Sequence, residues 1–170
     1  MSIPVLLMRP AEHPTGVYHC RVIGVPLDGT AMAETALPLA TALAERTGAD
    51  LILVRVVPTV STIPSTHGPA ATLLPAATSE LLRLEEDEAR EYLGNLMAAA
   101  PATVSTVAVV RRGDPVEQLT RAINDHAIDL VVMSTHGKSG LSGLWSGSVA
   151  AKLLARVDRP VILVPLRLSA

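Results

Sequence analysis

Apolar residues fall along this chain in short, β-branched runs, separated by longer stretches in which they recur every three or four positions. Residues 21–27, 50–57, 104–110, 128–133 and 160–165 form the runs and predict five strands. Most of these runs are continuously apolar, the pattern of strands covered on both faces in a parallel sheet. The intervening stretches, 31–47, 79–99, 115–127 and 148–157, predict four helices. In the second of them Leu82, Ala89, Leu93, Leu96 and Met97 share one face, which is expected to lie on the sheet, while Glu85, Glu86, Asp87 and Arg90 belong mostly to the other. Boundary chemistry agrees with this division. Thr47-Gly48 places a glycine where a helix ends in the left-handed conformation. Asp114-Pro115-Val116-Glu117 supplies an N-cap carboxylate, a proline at the first helical position and an acid at the third.

Strict alternation of five strands and four helices implies an open, doubly wound α/β domain: a five-stranded parallel sheet with helices on both faces. Ligands of such sheets bind beyond the carboxyl ends of the strands, where the strand order reverses. Three connections qualify: 28–30, the segment after Val57, and 134–147. The loop 58–78 carries Pro58, Pro64, Pro69 and Pro75 and is long for a compact domain, which suits either a mobile connection or a lid over a ligand. The chain divides into an N-terminal extension, 1–18, and a domain, 19–170, that includes this loop. Within the extension, Ile3-Pro-Val-Leu-Leu-Met-Arg9 is similar to the final strand, Arg159-Pro-Val-Ile-Leu-Val-Pro165, and predicts an added edge strand. Its sharper form is a strand pairing beside the terminal strand of its own or a partner subunit.

Composition narrows the class. Fourteen Lys plus Arg against sixteen Asp plus Glu give a net charge of −2, which offers no electrostatic footprint for nucleic acid or anionic lipid. With no Phe, one Trp and two Tyr the chain also lacks stacking platforms for single strands. No apolar run approaches the roughly 18 residues that span a bilayer. The lone Cys20 excludes an intramolecular disulfide and fits a reducing compartment, and the N-terminus lacks the basic region of a signal peptide. A cytoplasmic protein is expected.

The segment from Met133 to Val149 reads Met-Ser-Thr-His-Gly137-Lys-Ser-Gly140-Leu-Ser-Gly143-Leu-Trp-Ser-Gly147-Ser148-Val149. It follows a buried strand and opens a helix, and four glycines in eleven positions let backbone N–H groups approach a ligand without Cβ interference. Such groups at a helix N-terminus suit phosphate; a purely steric role for the glycines is the other reading. Familiar templates fail. A P-loop ending in Gly137-Lys138-Ser139 would need glycine where Val132 stands, the first strand-helix turn reads Pro26-Leu-Asp28-Gly-Thr30 in place of a dinucleotide fingerprint, and no serine sits at the centre of G-x-S-x-G.

Gly137, nine residues, then Gly147-Ser148 resembles the nucleotide-binding signature of the universal stress protein family, G-2x-G-9x-G-[S/T], with Ser134 in place of the first glycine. Val25-Pro-Leu-Asp28-Gly-Thr before an Ala-rich helix, the Gly113-Asp-Pro turn and the closing Arg159-Pro-Val-Ile-Leu-Val are similar to the family as well, so the resemblance runs from about Val22 to Pro165. It implies a Rossmann-like fold of the adenine nucleotide alpha hydrolase type, with strand order 3-2-1-4-5, and a regulatory module of the stress response. Some members bind ATP or a related adenine nucleotide and others do not. On that analogy Asp28 approaches adenine or ribose, Val56 borders the base, Met133 lies under sugar or base, and Ser134 occupies the position usually left to glycine. Gly137, Gly147, Ser148 and Val149 present backbone N–H groups to the phosphates, and Ser148 its hydroxyl. Capping or turning the chain is the alternative role for Asp28. The implied cofactor is ATP, ADP or AMP, with Mg2+ arriving on the phosphates. The family also implies a homodimer joined through the last strand, a pairing suited to an open sheet edge at 160–165. The alternative is an interaction module that binds no nucleotide and acts through dimerisation and protein partners. No base, nucleophile-positioning group or arginine finger is identifiable, so slow ATP hydrolysis is the most that catalysis could amount to.

The remaining candidates attract plainer readings. His136 lies in the glycine-rich segment and faces either phosphate or solvent. His13, His19, His67 and His126 show no ligand spacing. Arg111 and Arg112 read as strand-end charges that could reach the site, Trp145 as a packing residue, and Cys20 as a small, partly buried one.

Overall fold

The structure, a computed structural model, describes residues 3–8, 18–59, 75–135 and 149–165. The elements are β1 (Val5–Leu7), β2 (Val22–Leu27), α1 (Ala31–Glu34), α2 (Leu37–Thr47), β3 (Asp50–Val57), α3 (Pro75–Ala99), β4 (Thr106–Arg112), α4 (Pro115–Asp125), β5 (Leu130–Thr135), α5 (Val149–Arg156) and β6 (Val161–Pro165). They form an α/β fold around one sheet of order β1-β6-β5-β2-β3-β4. The expectation of a five-stranded, wholly parallel sheet is corrected here. The sheet has six strands, and β1 is antiparallel to β6. The remaining neighbours are parallel, in the order β6-β5-β2-β3-β4.

Alternation along the strands divides the core into two layers. Ile23, Val25 and Leu27 of β2, Leu51 and Leu53 of β3, and Leu130 and Val132 of β5 pack with Ala33, Ala40, Ala44 and Leu93, under α1, α2 and α3. Ile52 and Val54, Val131 and Met133, and Val161 and Leu163 face the other way, against Leu119, Ala122, Ile123, Ala150 and Leu153 of α4 and α5. This is the arrangement that continuously apolar strands require. Glycine in the middle of β2 has a packing reason. A Cβ on Gly24 would stand 2.7 Å from Ile128 Cδ1 and 3.0 Å from its Cγ2, so the isoleucine rests directly on the strand backbone.

Several boundaries differ from those the periodicity predicts. The helix expected over 31–47 is two helices, with Pro38 in the first turn of α2. Proline has no N–H for the carbonyl four residues back, so it can start a helix but not continue one. Gly48 caps α2 in the left-handed conformation (φ 71°). The N-cap at Asp114 is as the sequence predicts, its side chain accepting from the Glu117 N–H at 2.9 Å. The far end of α4 stops two residues before 127, because Ala127 adopts φ 49° and Ile128 N–H donates to the Ile123 carbonyl at 2.9 Å. On α3 Leu82, Ala89 and Leu93 are buried and Leu96 is partly so, but Met97 is 42% exposed beyond the edge of the sheet-facing stripe. Glu86, expected on the solvent side, is drawn inward by ion pairs with Arg90 and Arg112.

Asp129 ties the amino ends of β2 and β5 together. Its Oδ2 accepts the backbone N–H groups of Arg21 at 2.8 Å and Val22 at 3.1 Å, its own N–H donates to the Val22 carbonyl at 2.9 Å, and its carbonyl accepts from the Tyr18 hydroxyl. Partial burial, followed by the charge of Asp129, pushes the Cys20 thiol above its ordinary pKa, so this half-buried cysteine stays protonated. Asp129→Ala strips two strand-end N–H groups of their acceptor and is expected to destabilise the fold by about 1–2 kcal/mol. Urea unfolding measures this. A loss below about 0.3 kcal/mol would mean that water replaces the carboxylate fully.

Candidate functional site

β2 leads to β3 on one side and pairs with β5 on the other, so the chain reverses its winding direction between β2 and β5. The two strands are bound tightly at one end only. Their ladder takes in Ile23↔Leu130 and Gly24↔Val131, whereas that between β2 and β3 runs through six pairs to Leu27↔Arg55. With Asp129 holding the amino ends, the carboxyl ends of β2 and β5 continue past their last shared pair, at the switch point where doubly wound sheets bind ligands.

The turn that follows β2 is built from several directions. Asp28 Oδ1 accepts from both the Thr30 N–H at 2.9 Å and the Thr30 hydroxyl at 2.6 Å. The fixed hydroxyl in turn accepts from the Ala33 N–H at 3.2 Å and caps α1. Between them Gly29 has φ +86°, and a Cβ there would meet Arg55 Nη1 at 2.9 Å. Any other residue would be strained and would also displace the guanidinium. Arg55 lies over the ring of Tyr92, 5.2 Å from its centre, and the Tyr92 hydroxyl donates to Glu34 at 2.9 Å. Burial, then the hydrogen bond and charge of Glu34, raise the Tyr92 phenol well above its ordinary value, so it remains a neutral donor. Asp28, Glu34, Arg55 and Tyr92 thus form a polar cluster around the turn at the carboxyl ends of β2 and β3.

Of the residues singled out from the sequence, Asp28 is exposed, directly after the carboxyl end of β2. Its contacts are those of a turn-forming residue, and both are made by one oxygen. Val56 is half-buried and packs against the layer that contains Met133, which is 7% exposed. These two share a sheet face. Ser134, next along β5, alternates to the opposite face and is half-buried. Val149 opens α5 and is 37% exposed. Gly137, Gly147 and Ser148 lie outside the described residues, as do His136, Lys138, Trp145 and residues 60–74 of the expected loop 58–78, whose last four residues belong instead to α3. Arg111 and Arg112 turn away to α4 and α3: Arg111 pairs with Asp125 at 2.7 Å and Arg112 with Glu86 at 3.2 Å. Among the described residues no group of three His, Cys, Asp or Glu side chains could hold a metal, and no helix is long and apolar enough to cross a membrane.

Arg55, Tyr92 and Glu34 were not legible as site residues. Arg55 interrupts an otherwise apolar strand, a signal that could have marked it. Tyr92 and Glu34 are brought to the turn from two different helices, and nothing local in either helix announces the meeting.

The profile of the Universal stress protein family matches residues 19–165. The chain belongs to that family. It is 28% identical over 145 residues to the universal stress protein Sll1388 of Synechocystis, an alignment covering 82% of this chain and 94% of the relative. Universal stress protein structures share the fold. That of MJ0577, from Methanocaldococcus jannaschii, superposes with a TM-score of 0.70 at 22% identity, covering 89% of this chain and 99% of the other. UspA from Lactobacillus plantarum gives 0.67 at 22%, covering 86% and 98%. A universal stress protein solved in complex with cAMP gives 0.57 at 22%, again covering 86% and 98%.

Proposed function

We propose that this universal stress protein is an adenine-nucleotide-binding regulatory module, with ATP, ADP or AMP held at the switch point between β2 and β5. The observation that carries the reading is the pairing of those strands, joined at their amino ends by Asp129 and unpaired toward their carboxyl ends, with the Asp28 carboxylate directly after β2. A family member solved with cAMP, an adenine nucleotide, supports the ligand class. Asp28 uses Oδ1 for the turn, which leaves Oδ2 to accept from an adenine amino group or a ribose hydroxyl. Val56 and Met133 offer apolar surface to the base. Gly137, Gly147, Ser148 and Val149 supply N–H groups to the phosphates at the start of α5, with Mg2+ carried on the phosphates. Ser134 contributes a hydroxyl where the family signature has glycine. The module works in the cytoplasm, and its output is a homodimer paired through β6.

Two substitutions separate the turn from the ligand. Asp28→Asn keeps an acceptor for Thr30 but loses the charge, and is expected to leave stability unchanged while weakening adenine-nucleotide affinity about tenfold. Asp28→Ala is expected to lose the same affinity and, in addition, about 1 kcal/mol of stability from the unfixed cap. Calorimetric titration alongside thermal unfolding checks both. Wild-type affinity in the asparagine variant would confine Asp28 to the turn.

A further inference from the structure

β6 is not the open edge that its sequence suggests. β1 lies antiparallel along it in the register Val5↔Leu163, Leu6↔Ile162, Leu7↔Val161. The two strands are near copies: Pro4-Val5-Leu6-Leu7 matches Pro160-Val161-Ile162-Leu163 at three of four positions, with Leu6 in place of Ile162. Writing each β1 residue as its β6 counterpart turns the observed register into Val161↔Leu163, Ile162↔Ile162, Leu163↔Val161. That ladder is symmetric about Ile162 and antiparallel, which is what a two-fold axis between two copies of β6 demands. β1 therefore sits where the β6 of a second copy would sit, in the same direction, the same register and nearly the same side chains.

The hold of β1 is slight. Its ladder is three residue pairs long, and Val5, Leu6 and Leu7 remain 48%, 52% and 40% exposed, whereas Val161 and Leu163 of β6 are 1% and 4% exposed. Backbone pairing rather than side-chain burial keeps it in place, so an identical strand from another molecule can exchange for it at little cost.

We propose that β1 is an internal stand-in for the β6 strand of a second copy and competes with dimerisation through that edge. The inference rests on the reading of the module as one that pairs through β6. It concerns an edge, not the switch point, so its test is run without nucleotide and its failure leaves the nucleotide titration untouched.

The experiment compares the intact chain with Leu6→Pro/Leu7→Pro by sedimentation velocity over a concentration series. Adjacent residues of an edge strand point their N–H groups to opposite sides, so the double substitution removes a ladder donor toward β6 whichever residue supplies it. The intact chain is expected to be monomeric at concentrations where the variant dimerises, a dimer affinity at least about tenfold tighter in the variant. Val5→Gly/Leu6→Gly/Leu7→Gly, which weakens the strand without the rigid ring, is expected to behave likewise and covers the case of a misfolded proline variant. Adding a synthetic peptide of residues 3–9 to either released variant should return it to monomer. Equal association of intact and released chains would overturn the proposal. So would a released dimer indifferent to the peptide, or an intact dimer that falls to monomer on release, which would instead show β1 exchanged between copies.

Discussion

Gly24→Val is expected to lower the free energy of unfolding by about 2–3 kcal/mol, the range of an overpacked core. Gly24 is buried in β2, and its Cα faces the layer formed by α4 and α5. The Cβ alone would come within 2.7 Å of Ile128 Cδ1, and Ile128 is itself 1% exposed and stiff at χ1 through its β-branch. Val54, Leu119, Ile123 and Val131 line the same small space, so two further methyl groups and a displaced Ile128 would have to be accommodated among them. Ile128 also sits at the crossing from α4 into β5, fixed by its N–H bond to the Ile123 carbonyl. Displacing it therefore moves the strand that borders the switch point. Urea denaturation at unchanged m-value is the measurement. Gly24→Ala should lose less, and a valine variant within 0.5 kcal/mol of the parent, on the order of an ordinary surface substitution, would contradict this packing.

The second large effect concerns the proposed ligand. Gly147→Val is expected to reduce adenine-nucleotide affinity by at least about 100-fold, some 2.7 kcal/mol, while leaving the unfolding transition in place. Gly147 stands two residues before Val149, the first residue of α5, where the helix dipole favours an anion. Close approach of phosphate oxygens to backbone N–H groups needs a backbone without a branched side chain on it. Fluorescence or calorimetric titration reads the affinity, and circular dichroism checks the fold. Retained affinity would move the phosphates away from this end of α5.

Much of this was legible in the sequence, and the parts that were not have physical causes. Runs of Val, Ile and Leu identify parallel strands because those strands are covered twice, and Asp114-Pro115 announces α4 because capping is a local contact. Helix 31–47 was read across Pro38 because an Ala-rich pattern continues on both sides of it, whereas the backbone cannot. The similarity of residues 3–9 to the last strand pointed to an edge strand beside the terminal strand of its own or a partner subunit, and the structure pairs it with β6 of the same chain. That pairing also occupies the edge of β6 that was expected to be free. Asp28 was legible as a residue at the switch point, with its two roles open. The structure supplies the turn contacts to Thr30, and the proposed ligand contact falls to the other carboxylate oxygen. The cluster of Arg55, Tyr92 and Glu34 depends on tertiary placement of α1 and α3 and has no sequence-local signal.

The central claim is that the switch point between β2 and β5 takes an adenine nucleotide. Its most direct test is mass spectrometry of small molecules released from freshly purified protein, followed by titration of the emptied protein with ATP, ADP and AMP in the presence of Mg2+. The account predicts one saturable adenine-nucleotide site per chain. Absence of both a released and a titratable nucleotide would contradict it, and would leave this family member as an interaction module in which Ser134 marks a lost site.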